Sequence, residues 1–383
     1  MDLTDKTELL GYLKSNGLWA KHGLGQNFLV DKGALDKIVG VAELKPHLAS
    51  PSKGEGREGD LVIEVGPGLG TLTEELIQQA GKVIAVELDE KLARLLAERY
   101  DTVISSETEK SFDSQLLAQD DVSLKDKKIS PPPMGSRDDK VDCVSSRDDN
   151  LVVVNEDILK INLKELVGDK PYKVVANIPY YITSKIIQLF LTAENKPETI
   201  VVLTQKEVAE RICAKPGDMS TLSISVQVYG TPEIIGVVPK ESFFPSPKVD
   251  SAILRISDIY SFNSSTKHEI RNTKQIKNLK NDDSKKISPP PKGSRNDKGV
   301  MGSRMTGPRD DSVGGRSEKD FFRAVHIGFA SKRKTLANNL ASGYHIDKKM
   351  ALDIIKSIGL NENVRAQELS VGNWKDLALK VKC

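Results

Sequence analysis

The chain has 383 residues, 38% of them apolar and 29% charged, with a formal net charge of +2. That length accommodates two or three domains, and so small a net charge does not by itself mark a nucleic-acid binder. No run approaches the roughly 18 apolar residues of a membrane span. The acidic start MDLTDKTELL is not a secretory leader, and Cys143, Cys213 and Cys383 have no Cys-x-x-Cys spacing. Neither a membrane, a disulfide framework nor a cysteine-held metal is expected.

An amphipathic helix is predicted over Lys6–Lys14, followed by the arm KHGLGQNFLVD at Lys21–Asp31. Its glycines and amide pair suit backbone wrapped over a ligand, with Gln26 and Asn27 reaching a cofactor and Lys21 and His22 a phosphate. An arm without function is an equal reading. Leu61–Val65 then reads as a strand, Gly66-Pro67-Gly68-Leu69-Gly70 as a turn and Thr71–Gln79 as a helix. Glycines there let the chain approach a ligand closely and let strand pack tightly on helix.

The next strand, Val83–Val86, ends at Glu87, a carboxylate placed to accept both hydroxyl protons of a ribose. A tight turn without a ligand is the plain alternative, and this pattern alone does not separate nicotinamide from S-adenosylmethionine. Leu151–Val154 is a strand followed by Asp157, which either contacts the cofactor or caps the chain from Ile158 onward. Val174–Ala176 is a strand ending in Asn177-Ile178-Pro179-Tyr180. Further strands are expected at Thr199–Leu203, Ile224–Gln227 and Ile253–Ile256. Strands alternating with helices, with ligand-binding residues at strand ends, predict an α/β fold with a doubly wound, Rossmann-like sheet.

Two stretches break this pattern, at about residues 101–150 and 261–316. They share the words KKISPPPMGSRDDK (Lys127–Lys140) and KKISPPPKGSRNDK (Lys285–Lys298), which differ at two of fourteen positions. Triple proline excludes helix and central strand, and low apolar content leaves little to offset ordering entropy. Both are read as low-complexity inserts. They separate a domain at 1–260, interrupted at 101–150, from a helical domain at 317–383.

The Asn177–Tyr180 turn carries the chemistry. An adenine N6 amine is a poor nucleophile because its lone pair is shared with the ring. Acceptors at its two protons, the Asn177 side chain and the Ile178 carbonyl held by Pro179, draw the nitrogen toward sp³. Tyr180 can stack on the base. Ser242–Ser251, SFFPSPKVDS, supplies an aromatic for the opposite face, Phe243 ahead of Phe244, unless both are core. A methyl donor that is already a sulfonium needs alignment, not a metal or a strong base. The residues therefore point to methylation of an adenine amine in an unpaired nucleic acid, since the base must leave its stack.

In the tail, Phe321, Phe322, Val325, Phe329, Leu336 and Leu340 predict an apolar helical side. Further helices are expected at Asp347–Ile358 and Asn373–Val381. Lys332, Arg333 and Lys334 form a basic group suited to phosphate, with a merely solvated face as the alternative.

Several words together resemble one family, the bacterial small-subunit ribosomal RNA adenine N6,N6-dimethyltransferases. They are GLGQNFLVD, IEVGPGLGTLT, VELD, NEDIL, ANIPYYITSKII, QKEVAERICAKPG, FFPSPKVDSAILR and FRAVHIGFASKRKTLANNL. The resemblance implies a Rossmann-like methyltransferase sheet with a small carboxyl-terminal all-helical domain. It implies transfer from S-adenosylmethionine, leaving S-adenosylhomocysteine, to two adjacent adenosines of a 16S rRNA hairpin loop in the assembling 30S subunit. It further implies a cytoplasmic monomer without a metal. Carried onto this chain, Asn27, Leu29, Gly66, Glu87, Asp157 and Asn177 contact the cofactor, and Gly68 and Gly70 shape its loop. Asn177, Pro179, Tyr180 and Phe243 hold the base. The rivals are the 23S rRNA adenine methylases of macrolide resistance and a non-catalytic RNA-binding assembly factor. The first would use the same cofactor and a NIPY-like site, and the wording of GLGQNFL and of the FRAVHIGFASKRKTLANNL tail favours the small-subunit enzymes over it. The second does not explain an intact Glu87, Asp157 and NIPY turn.

Overall fold

Leu61–Val65 is buried at every position, which is how a strand reads when a sheet is covered on both faces. In the computed structural model, which describes residues 1–18, 27–46, 59–102, 104–105, 150–262 and 318–381, this strand lies centrally. The elements before it are α1 (Lys6–Ser15), β1 (Phe28–Leu29) and α2 (Lys32–Val41), and the strand itself is β2. Then follow α3 (Thr71–Gln79), β3 (Lys82–Glu87), α4 (Glu90–Tyr100), β4 (Ile104–Ser105), β5 (Leu151–Asn155), α5 (Leu163–Val167) and β6 (Tyr172–Asn177). The sheet region closes with α6 (Thr183–Thr192), β7 (Thr199–Gln205), α7 (Lys206–Ile212), α8 (Thr221–Gln227), β8 (Thr231–Val238), β9 (Phe243–Phe244) and β10 (Ser251–Ser257).

Eight strands form one sheet in the order β4-β5-β3-β2-β6-β7-β10-β8. The first six run parallel, and β10 and β8 add an antiparallel edge. Val62, Val83, Val153, Val175 and Val201 join Leu35, Ile38, Leu76 and Leu96 of α2, α3 and α4 in one core. The alternate positions Ile63, Ile84, Val152, Val174 and Ile200 are also buried, and the pleat turns them to the other face. The small second sheet pairs β1 with β9.

The doubly wound reading holds, with two local corrections. Ile224–Gln227 belongs to helix α8, not to a strand. Ser220 and Ser223 form a reciprocal capping box at its start, and a short apolar run does not tell strand from buried helix by periodicity. The neighbouring edge strand is instead Thr231–Val238. The first low-complexity stretch also starts later than residue 101, since Ile104 and Ser105 pair with Val153 and Val154. Residues 106–149 and 263–317, and with them both repeated words, lie outside the described residues, as do Lys21–Gln26.

Contacts divide the chain into two units, Met1–Ile259 and Tyr260–Cys383. The second contains α9 (Glu318–Phe329), α10 (Leu336–Tyr344), α11 (Lys348–Ser357) and α12 (Val371–Lys380). Phe321, Val325, Leu336, Leu340 and Trp374 are among its fully buried apolar residues, while Phe322 and Phe329 are only half-buried. Phe329 stacks on Trp374 at 5.5 Å between ring centroids.

Candidate active site

Val65 of β2 lies opposite Ala176 of β6. The next residues, Gly66 and Asn177, therefore leave the sheet side by side at its carboxyl edge. From β2 the chain order runs outward through β3 to one side, and from β6 through β7 to the other. That reversal is where doubly wound sheets open a crevice for ligands. A cavity of about 450 Å³ opens there, a size suited to a small molecule. Of the residues that the family resemblance assigns to the site, all but Gly70 line it.

One wall is largely backbone. Gly66, Gly68 and Gly70 have φ of 69°, 60° and 85°, in the left-handed region that favours glycine. A Cβ on Gly70 would lie 2.5 Å from Leu96 Cδ1, so Gly70 seats α3 against α4 and shapes the loop from behind. The Gly68 amide donates to Glu87 Oε2 at 3.0 Å and the Asp89 amide to Oε1 at 2.9 Å. Glu87 thereby ties the glycine loop to the end of β3. Its burial pushes its pKa up, and the Asp89, Gly68 and Leu88 amides act against that. A carboxylate has about four acceptor sites, so these bonds do not exhaust it. Asp157 Oδ1 accepts from the Leu159 amide at 3.0 Å, which is the capping reading, and the residue also lines the cavity.

The opposite wall consists of side chains. Asn177 and Pro179 line the cavity around a buried Ile178. The Tyr180 hydroxyl is 2.7 Å from Ser251 Oγ, and burial pushes the phenol pKa up. Phe243 is 2% exposed and belongs to the main core, yet it also borders the cavity. Phe244 packs instead with Phe28 and Leu69 in a separate cluster. The arm closes over both walls. Asn27 and Leu29 line the cavity, Leu29 pairs with Phe243 across β1 and β9, and Phe28 lies against Gly68.

The ribosomal RNA adenine dimethylase family matches residues 18–111 and 139–268, skipping a stretch inside the first low-complexity segment. The chain belongs to the ribosomal RNA adenine dimethylase family. It is similar to "Ribosomal RNA small subunit methyltransferase A" of Dehalococcoides mccartyi strain CBDB1, with 36% identity over 95% of this chain and 89% of that protein. The protein of that name from Ligilactobacillus salivarius is 31% identical over 98% of this chain and 95% of its own length. Among solved structures, a dimethyladenosine transferase from Plasmodium falciparum matches with a TM-score of 0.53 at 21% identity, covering 91% of this chain and 95% of that one. The 23S rRNA methyltransferase ErmE matches with a TM-score of 0.52 at 21% identity, covering 92% and 99%. At those identities the two structures establish the fold.

Within this dimethylase, the structure adds residues that the sequence reading did not single out. Glu64 is 1% exposed on β2, and burial, with the Glu87 charge adding, pushes its pKa up to about 8. It looks like one more position in a strand, and only the sheet reveals a carboxyl covered on both sides. Tyr181 is 64% exposed at the cavity. Ser251 is fully buried, and its partner is distant in sequence. Among the described residues no group of three or more His, Cys, Asp or Glu could hold a metal ion. No helix among them is long and apolar enough to cross a membrane.

Proposed function

We propose that this dimethylase converts two adjacent adenosines of 16S rRNA to N6,N6-dimethyladenosine, using S-adenosylmethionine. The observation that carries the reading is the shared cavity, in which the Gly66–Gly68 loop and Glu87 face the Asn177–Tyr180 turn across the sheet's switch point.

The residues present fit the cofactor. Gly66 lines the cavity with no side chain, and a Cβ there would meet only the Asn177 carbonyl oxygen, at 3.9 Å, so that glycine lets a ligand approach the backbone. Glu87 keeps acceptor capacity for the ribose hydroxyls. Asn27, Leu29, Asp157 and Asn177 complete the set that would hold the cofactor, whose sulfonium supplies an activated methyl group. The protein's own task is then alignment. Asn177 Oδ1 and the Ile178 carbonyl accept from the N6 amine and draw its lone pair out of the ring. Pro179 fixes the turn that carries both acceptors. Tyr180 and Phe243 offer rings to the base faces, and the buried Ile178 and Phe243 limit water at the reacting nitrogen.

The substrate is unpaired hairpin-loop RNA in an assembling 30S subunit, met by a cytoplasmic monomer. Mass spectrometry of rRNA after incubation with labelled S-adenosylmethionine and unmethylated 30S or 50S particles tests this. Adjacent dimethyladenosines in 16S rRNA are expected. Label confined to 23S rRNA, or absent from both, overturns the reading.

The helical unit is the RNA platform. Lys332, Arg333 and Lys334 are exposed between α9 and α10. Asn339 Nδ2 holds that turn by donating to the Gly328 carbonyl at 2.6 Å and the Ser331 carbonyl at 3.1 Å. Replacing all three cations by alanine should lower the salt dependence of rRNA binding, by about 0.7–0.9 in logarithmic slope per lost phosphate contact. S-adenosylmethionine affinity should not change. An unchanged salt slope removes the platform role.

A further inference from the structure

The hydroxyl of Tyr180 is not needed for stacking, because a phenylalanine presents the same ring face. It has a different partner. Ser251 Oγ lies 2.7 Å away, on the first residue of β10 and with no exposed surface. Ser251 is held from both sides, opposite Gln205 of β7 and Val238 of β8. The neighbouring Asp250 is anchored as well. Its carbonyl accepts from the Lys206 amide at 3.0 Å and its Oδ1 from the Lys240 amide at 3.1 Å. The serine is thus a fixed point in the antiparallel part of the sheet.

The other end of Tyr180 is fixed too. Pro179 precedes it with a restricted φ, and the Pro179 carbonyl accepts from the Ile182 amide at 3.2 Å, closing the turn into α6. An aromatic ring held at its Cα and again at its hydroxyl cannot swing out of the cavity by χ1 rotation without losing the second hold. We propose that Ser251 is a positioning residue for methyl transfer: through the Tyr180 hydroxyl it locks the aromatic platform on which the target adenine stacks. This rests on the adenine-N6 reading of the site. It assigns the hydroxyl of Tyr180 and the buried serine to one function.

The lock bears most on the second transfer. A monomethylated N6 is bulkier and has one proton left to donate, so only one of the two acceptors at the turn can still bond it. Ring stacking then carries a larger share of the alignment.

The test is a double-mutant cycle on 30S particles with Tyr180→Phe, Ser251→Ala and both together. Each single change should lower kcat/KM for RNA by about three- to tenfold, the worth of one hydrogen bond. The double variant should be no worse than the poorer single, because both remove the same bond. S-adenosylmethionine affinity should stay at the wild-type value, and the ratio of dimethyl to monomethyl product should fall in all three variants. Multiplying effects, an unchanged product ratio, or a Ser251→Ala variant as active as wild type would each overturn the proposal. If Ser251→Ala folds poorly, Tyr180→Phe alone decides, since full activity and an unchanged product ratio in that variant leave the hydroxyl without this role. Wild-type enzyme run beside them separates the two claims. A wild type that does not methylate adenine refutes the underlying reading, whereas an active wild type with an additive cycle refutes only the lock.

Discussion

Along the wall proposed to hold the cofactor the chain offers mostly backbone: Gly66, Gly68 and the amides that donate to Glu87, all within the span from β2 to the start of α4. Along the wall proposed to hold the base it offers side chains whose supports lie far off. Tyr180 is held by Ser251, 71 residues away, and Phe243 is paired with Leu29. The first wall is local, so its parts come in one stretch of sequence and fold with the β2–α3–β3 unit. The second exists only once the antiparallel edge and the amino-terminal arm have docked. Damage to the first should appear in cofactor affinity and stability. Damage to the second should appear in turnover with cofactor binding intact.

Asn177→Ala is the sharpest way to break this division. Asn177 stands where the walls meet, yet its proposed work is on the reacting nitrogen. Turnover is expected to fall by about 10²- to 10³-fold, the cost of losing one fixed polar partner of a transition state. The melting temperature should stay near wild type. A variant that methylates normally excludes the role, and one that loses only cofactor affinity moves Asn177 to the backbone wall.

Gly70→Ala probes the local wall from behind. It adds a Cβ 2.5 Å from Leu96 Cδ1 at a residue with φ of 85°. Left-handed strain and overpacking together should cost about 2–4 kcal/mol, read as a lower urea midpoint, with weaker S-adenosylmethionine binding by calorimetry. An alanine variant as stable as wild type shows that the α3–α4 contact yields more readily than the packing implies.

The same division explains what was legible in the sequence. The glycine loop, Glu87 and the NIPY turn were readable because each is a short word following a strand, and strand position alone sends them to the sheet's edge. Leu61–Val65 and Thr71–Gln79 match their predicted bounds residue for residue. The Tyr180–Ser251 bond was not readable, since nothing local in VDSAILR distinguishes a serine that holds a tyrosine from one that begins a strand. The strand expected at Ile224–Gln227 is part of a helix for a related reason: ISVQ has the composition of a strand, and the Ser220–Ser223 cap decides for helix.

Glu64 lies behind the same wall as Gly70, and its expected effect is confined to stability. Its carboxyl is fully buried, Oε2 has no hydrogen-bond partner, and its pKa is raised from 4.5 to about 8. Between those values the unfolded chain has released this proton while the folded chain keeps it. Folding therefore binds a proton, and the Glu64 contribution to stability falls as pH rises through that window, then levels off above it. Glu64→Gln keeps the shape and removes the titration. Its stability relative to wild type should thus improve from pH 5 to pH 8, by on the order of 3 kcal/mol, measured as urea midpoints at both values. Equal differences at the two pH values would mean that Glu64 ionises in the fold as it does in the open chain. The backbone wall would then tolerate a second negative charge beside Glu87, and the burial seen here would not govern its electrostatics.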